Sequence, residues 1–409
     1  MKILYFGTVC DLNHYQEMLK DCQDKPSVAP ILFENALLSG MKCNGADVEI
    51  YSFPMVPTFP KSKILRIKNI SDILSCGYTC QWMDTLNLPV IKQIYRCRYA
   101  KKVIRRWCKA SNSDDDVIVT YSVPPFLVKP VIDLGKKYSK KTVAIVPDLP
   151  RDMYINDRSN GLLGMLKKIY LRLSIKRQGS YDGYVYLTEA MHEVVAPSKP
   201  YVVVEGIARN TCIDHPSLSR KSSPRAIMYA GMLNCKYGIV NLLDAFESMN
   251  NEDVELWLFG TGTAVPEIMK RAQNNNHIVY FGQKKHEEIL EYEKKATVLI
   301  NPRDPNELFT KYSFPSKTIE YMLSGTPVLT TRLPGIPLAY YDYVYSAKDN
   351  SVTELRAKMD EVLALPEDLL ICKGLKAQSY IREKKNPEHQ AKIIIHFIED
   401  LCNDSESKN

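Results

Sequence analysis

Residues 312–331 read YSFPSKTIEYMLSGTPVLTT. Pro315-Ser316-Lys317 suits the first turn of a helix, because a proline there lacks only an N–H that has no intrahelical partner. Gly325 and Pro327 mark the stop, and Val328 to Thr331 reads as a short strand. A loop that opens a helix presents free backbone N–H groups and the positive end of the helix dipole, and this favours a phosphate. Lys317 and Glu320 are three apart and share one face. A cation beside the phosphate and a carboxylate one turn deeper, able to accept from two ribose hydroxyls, would hold a nucleotide at both ends. The competing reading is an ordinary amphipathic helix whose Lys and Glu are solvated charges.

Working outward, the second half alternates short strands with longer amphipathic stretches. Strands are expected at Ala226–Ala230, Glu255–Phe259, Ile278–Phe281, Thr297–Ile300 and Pro327–Thr330. Helices are expected at Ile239–Met249, Ala264–Ala272, Glu287–Lys295 and Pro315–Ser324. The first half repeats the pattern, with strands at Ile3–Phe6, Val48–Tyr51, Val117–Tyr121, Thr142–Val146, Gly183–Tyr186 and Tyr201–Val204. Its helices are expected at Ile31–Lys42, Val90–Lys109, Phe126–Tyr138, Leu162–Gln178 and Glu189–Val195. Such alternation implies α/β structure with parallel sheets covered on both faces. The break falls in the polar, turn-rich stretch 207–224. The reading is two doubly wound domains, residues 1–206 and 207–385. An apolar-faced helix over 386–402 is followed by a polar tail from Asn403. Open parallel sheets bind ligands at the carboxyl ends of their strands, so the two sheets are expected to face a central cleft.

At 409 residues the chain is long for one domain, and 45% hydrophobic with 25% charged residues is an ordinary globular composition. Its eleven Cys are scattered. The closest pair, Cys76 and Cys80, has no second pair to complete a zinc site, so no metal is expected. The N-terminus MKILYFG lacks a signal-peptide pattern, and no run approaches the roughly 18 apolar residues of a membrane span. A cytoplasmic protein is expected. The net charge is +7, and it is concentrated. In 92–109 (KQIYRCRYAKKVIRRWCK) and 165–178 (MLKKIYLRLSIKRQ) every charged residue is Lys or Arg. A solvated helix face, an anionic membrane surface and a nucleic-acid surface compete for these stretches. No nucleic-acid module accompanies them, so no nucleic-acid partner is expected.

The second half resembles the donor-binding domain of retaining glycosyltransferases of GT-B architecture, in glycosyltransferase family four (glycosyl transferases group 1), of the bacterial surface-polysaccharide type. The resemblance rests on IMYAGMLNCKYGIVNLLDAF (227–246), VELWLFGTGTAVPEIMKRA (254–272), IVYFGQKKHEEILEYEKKATVLINPR (278–303) and FPSKTIEYMLSGTPVLTT (314–331), in the family's order. The first half matches weakly, through AIVPDLP (144–150) and LTEAM…KPYVVVEGI (187–207). The resemblance implies two Rossmann-like domains, with the C-terminal helix returning to the first. It places Glu320 at the second glutamate of an E-x7-E motif, which accepts from the donor ribose. The Phe314-Pro315-Ser316 backbone would approach the diphosphate. Gly231 would let its loop pass the phosphates, Gly260 and Gly262 would border the base, and Gly206 would be the hinge.

The chain also departs from the family. Tyr312 stands where the first glutamate would be, and Met232 and Tyr237 stand where a phosphate-binding Arg and Lys would be. The diphosphate needs cationic partners as its bond to the sugar breaks. Lys236, Arg303, Lys311 and Lys317 are the candidates, a rearranged cation set. Glu307 and Asn306 are candidates for the vacated place near the sugar hydroxyls. The resemblance implies transfer from a nucleotide sugar, with UDP favoured, and retention at the anomeric carbon. The leaving group is already good, so catalysis is mainly charge stabilisation and positioning. The two carboxylates of a glycosidase are not evident.

In the first half, Asp148 of VPDLP follows a strand and would orient the acceptor. Gly7, Thr8 and His14, on the first loop, are further acceptor-binding candidates. The acceptor implied is a glycan or a saccharide on a lipid diphosphate. The two basic stretches would then dock this half on an anionic membrane, at about 1 kcal/mol per basic residue near the surface, with Trp82, Tyr95, Tyr99 and Trp107 at headgroup level. A non-catalytic sugar-nucleotide-binding subunit is the alternative. An epimerase or a phosphorylase finds no support in the residues.

Overall fold

The computed structural model describes residues 1–22, 25–111, 113–149, 171, 175–209 and 222–406. The chain divides into two compact units, Met1–Arg209 with Asn386–Asn409, and Asn210–Lys385.

The first unit holds β1 (Lys2–Gly7), β2 (Asp47–Ser52), β3 (Arg66–Ile67), β4 (Ser71–Ile73), β5 (Thr79–Trp82), β6 (Thr85–Leu86), β7 (Val117–Tyr121), β8 (Lys141–Val146), β9 (Gly183–Tyr186) and β10 (Tyr201–Val203). Its eight-stranded sheet runs β10-β9-β8-β7-β1-β2-β5-β4. Every pairing is parallel except β4 with β5. β7 and β9 are buried from end to end and β1 and β8 nearly so, as expected of strands covered on both faces. The order turns back between β1 and β7. The segment around β3 to β6, with its small β3–β6 ribbon, was not expected from the sequence, because strands of two to four residues carry too little periodicity to read.

The last helix, Pro387–Glu406, groups with the first unit and lies against the Ala29–Cys43 helix. A Cβ on Gly40 would come within 1.9 Å of the Pro387 carbonyl oxygen, so this approach requires glycine there. The helix continues past Asn403, where a polar tail was expected. The expected helix Leu162–Gln178 and the second basic stretch lie mostly outside the described residues.

The second unit holds β11 (Arg225–Ala230), β12 (Val254–Phe259), β13 (Ile278–Gly282), β14 (Val298–Asn301), β15 (Val328–Thr331) and β16 (Tyr345–Ala347). The strands are all parallel, in the order β13-β12-β11-β14-β15-β16. This is the 3-2-1-4-5-6 order of a dinucleotide-binding fold, with its switch point between β11 and β14. Two late helices, Val352–Leu363 and Glu367–Lys384, were not expected. The second supports the opening motif, because Gln378 Nε2 donates to the Leu323 carbonyl at 2.8 Å.

Candidate functional site

In the second unit, three loops meet at the carboxyl ends of β12, β11 and β14. Backbone packing locks them together. Gly238 has φ +78°, and a Cβ there would lie 1.9 Å from the Pro302 carbonyl oxygen. Gly260 (φ +125°) would strike the Gly231 carbonyl at 1.8 Å. Gly262 likewise faces the Leu233 carbonyl. The demand for glycine at 260 and 262 is thus met within the protein, by the 231–234 loop.

Arg303 crosses the switch point. Its guanidinium lies 4.6 Å from the Tyr237 ring centroid and 6.0 Å from that of Phe309. Its Nε is buried with no hydrogen-bond partner, and no acid pairs with its guanidinium among the described residues. Thr331 Oγ1 donates to its carbonyl at 2.5 Å. Tyr237, which replaces an expected lysine, therefore supports an arginine in place of supplying charge. Lys236 is exposed on a 3-10 turn whose amide donates to Asn234 Oδ1.

The motif helix begins at Lys317, two residues later than the proline suggested, and ends at Leu323. Ser316 is its N-cap and makes no side-chain capping bond, while the Pro315 carbonyl accepts from Thr318 N at 2.8 Å. Phe314 and Pro315 are buried, and Ser316 is exposed. Phe314 packs on Tyr340 with ring centroids 5.5 Å apart. Tyr321 ties the helix to the end of β11: its hydroxyl accepts from Ala230 N at 2.7 Å and donates to Ala230 O at 3.0 Å. Lys311 sits over the Tyr312 ring, 5.6 Å from its centroid. Glu307 and Asn306 are exposed on the preceding loop, where Asn306 N donates to Asp304 Oδ1.

Lys317 and Glu320 form a direct ion pair. A third residue, which sequence reasoning missed, joins them. Glu293, from the His286–Lys295 helix, is fully buried and its Oε1 lies 4.0 Å from Lys317 Nζ. Burial, and then the neighbouring Glu320, push its carboxyl well above the usual carboxylate range. Among the described residues its oxygens find no hydrogen-bond donor, and a like charge nearby favours the protonated form. Lys317 is thus occupied with Glu320, and among the described residues Arg303 is a half-buried cation at the switch point that no acid pairs with. A Glu on the inward side of an amphipathic helix was the available signal for Glu293.

In the first unit the carboxyl ends of β1, β7 and β8 carry Gly7–Thr8, Ser122 and Asp148. A buried acid organises this end as well. Glu34 Oε2 accepts from Tyr5 OH at 2.9 Å, and Glu34 Oε1 accepts from Thr8 N at 2.9 Å and from the Thr8 hydroxyl. A Cβ on Gly7 would fall 1.8 Å from Glu34 Oε2. Gly7 is therefore required by Glu34, and both donors of buried Thr8 are engaged by it. Burial raises the Glu34 pKa to about 7, against the hydrogen bonds from Thr8 and Tyr5 that hold it down. Asp148 is exposed after β8.

His14 lies in a short helix, Leu12–Met18, and not on an open loop. Its Nδ1 is 2.9 Å from Asp72 Oδ1, and its ring stacks on Trp82 at 4.9 Å. Asp72 Oδ2 also accepts from Trp82 Nε1 at 2.8 Å. The aromatic belt is corrected here. Trp82 and Trp107 are buried, because each fills the core beneath its own element. Val90, Ile91, Ile94 and Tyr95 are the exposed apolar side chains at the start of the basic helix Ile91–Ala110.

Among the described residues, no group of three or more His, Cys, Asp or Glu side chains is placed to hold a metal ion. Among them also, no helix is long and apolar enough to cross a membrane.

Residues 212–380 match the family model described as glycosyl transferases group 1. A comparison with curated proteins finds no matching sequence. Solved structures similar to this chain include a sucrose-phosphate synthase from Thermosynechococcus elongatus, at 12% identity, covering 98% of this chain and 99% of that one, with a TM-score of 0.63. Anabaena HepE in complex with UDP is similar at 11% identity, 98% and 100% coverage and a TM-score of 0.62. An α,α-trehalose 6-phosphate synthase from Burkholderia multivorans is similar at 10% identity, 99% and 98% coverage and a TM-score of 0.61. The fold is that of these GT-B glycosyltransferase structures, and the family match falls on the second unit.

Proposed function

We propose that this protein transfers a sugar from a nucleotide-diphosphate sugar to a hydroxyl of a glycan or lipid-linked saccharide, in bacterial capsular, exopolysaccharide or O-antigen synthesis. UDP is the favoured nucleotide, and the similar HepE structures, with UDP and with UDP and glucose, support that choice. The observation that carries the reading is Arg303, an unpaired guanidinium at the switch point of a dinucleotide-type sheet, in the same unit as a motif helix whose Glu320 suits a ribose. Arg303 would take the charge that develops on the diphosphate as the anomeric bond breaks. Glu320, with its charge partly met by Lys317, would accept from the ribose hydroxyls. Retention rests on the family resemblance. So does a catalysis that needs neither a metal nor a protein nucleophile. Asp148 and His14 would contact the acceptor, in the first unit.

The protein is read as cytoplasmic, with an anionic membrane surface as a partner. Exposed Val90, Ile91, Ile94 and Tyr95 beside exposed Arg98, Lys102, Arg105 and Lys109 support this. Co-sedimentation with anionic vesicles at low salt, absent with neutral ones, is expected; no co-sedimentation with either removes the membrane from the account.

The donor is tested by a thermal-shift screen against UDP, GDP, ADP, CMP and their sugar conjugates. A ligand that binds only the folded state raises the midpoint by mass action. A shift with UDP and UDP-sugars, lost in Glu320→Ala, is expected. No shift with any nucleotide would reject the donor reading.

A further inference from the structure

The basic helix Ile91–Ala110 turns two of its cations inward. Lys92 and Arg96 are each only 6% exposed. Lys92 Nζ donates to the Val56 carbonyl at 2.5 Å, and an Arg96 terminal nitrogen donates to the Pro54 carbonyl at 3.0 Å. The Arg96 guanidinium stands near two rings, 5.8 Å from the centroid of Phe53 and 5.6 Å from that of Phe126. Its Nε is buried without a partner. Among the described residues no carboxylate pairs with either side chain. A lysine has three donors and an arginine five, and here each meets one neutral carbonyl. Burying a charge without a counter-charge is unfavourable.

The location is what makes the pair informative. The carbonyls belong to the loop that follows β2, at the carboxyl end of the first unit's sheet. Phe126 is the second residue of the Pro125–Lys137 helix, which follows β7 and has no side-chain cap. β2 and β7 flank β1, so the cations lie where an open α/β sheet receives its ligand. Ser52, the last residue of β2, adds a buried hydroxyl with no partner. Buried donors, a guanidinium without a counter-charge, an amine that can take up a proton and an uncapped helix N-terminus are the components of an anion site.

We infer that Lys92 and Arg96 form an anion-binding site in the first unit that takes a phosphate or diphosphate group carried by the acceptor. The inference deepens the proposed transferase reading, since it makes the acceptor a phosphorylated molecule, either a free sugar phosphate or a saccharide on a lipid diphosphate. Its residues belong to the first unit, and Arg303, Lys317 and Glu320 belong to the second. Burial, and then the nearby Arg96, lower the Lys92 pKa to about 7. An anion would draw a proton onto Lys92, so binding at pH 8 carries proton uptake.

The test is calorimetric titration of the full chain with inorganic pyrophosphate at pH 8, in Tris and in HEPES. The site predicts binding, with about one proton taken up at that pH. Binding should weaken at least tenfold in Lys92→Met and Arg96→Gln and persist in an Arg303→Ala/Lys317→Ala double variant. Lys92→Arg keeps the charge and should bind without proton uptake, which also covers the case in which Lys92→Met fails to fold. Geranyl diphosphate binding tenfold tighter than pyrophosphate assigns a lipid source; equal or weaker binding assigns a free phosphorylated sugar. Absence of binding, binding unchanged in Lys92→Met, or binding lost in the Arg303→Ala/Lys317→Ala variant would overturn the inference. The UDP shift of Lys92→Met should match wild type, so failure of this site and failure of the donor site are told apart.

Discussion

Single residues carry most of the chemistry, and they were legible to different degrees. Arg303 could be picked out because it follows a strand and the expected cations are missing at Met232 and Tyr237. What could not be read is that Lys317 is already paired, since contact between side chains depends on rotamers and neighbours. The two buried acids were also hidden. Glu34 and Glu293 sit on helices far in sequence from the loops they serve, and a pattern of spacing reports a face but not what that face meets. Glu34 yields a pH prediction. Its folded pKa of about 7 lies above the ordinary 4.5, so the folded state holds the proton more tightly. This contribution to stability is complete below pH 4.5, is lost as pH rises through 7, and is constant above that. The loss amounts to about 3 kcal/mol. The change in urea unfolding free energy between pH 4.5 and pH 8 should be smaller by that amount in Glu34→Gln than in wild type; equal pH dependence in both would refute it.

At the scale of elements, most of the strands and helices that were expected among the described residues lie within a residue or two of their place, because alternation and amphipathic period are written locally; the last helix runs on to Glu406, and β16 was not expected. The motif helix began late, because Pro315 and Ser316 form the turn that leads into it. Its position depends on Tyr321, whose hydroxyl satisfies both backbone groups of Ala230. Tyr321→Phe leaves an N–H and a carbonyl unpaired inside the sheet, and should cost about 1–3 kcal/mol. It should also weaken nucleotide binding, because Glu320 is adjacent in the helix. A stability loss without any loss of affinity would mean that the helix does not position the nucleotide. Gly238→Ala should destabilise by at least about 1–2 kcal/mol, through its left-handed backbone, and more because its Cβ would meet the Pro302 carbonyl. An unchanged urea midpoint would show that the switch-point loops are not locked as described.

At the scale of the molecule, the sequence announced two doubly wound units because the strand–helix alternation restarts after a turn-rich break. It did not announce the β3 to β6 segment, the Val352–Leu363 and Glu367–Lys384 helices, or the inward turn of Lys92 and Arg96. A run of basic residues reads as a surface until the packing shows which members face inward. Among the described residues, each unit places buried or half-buried basic side chains without an acid partner beside the carboxyl ends of its own central strands, Arg303 in one and Lys92 with Arg96 in the other. The central claim is that the second unit breaks a sugar–diphosphate bond with Arg303 as the principal cation. The most direct measurement is release of nucleoside diphosphate from sugar nucleotides, comparing wild type with Arg303→Ala. The account predicts turnover of at least one UDP-sugar and a fall of about 100- to 1,000-fold in the variant. Equal rates in the two proteins, or no release from any sugar nucleotide that binds, would contradict it.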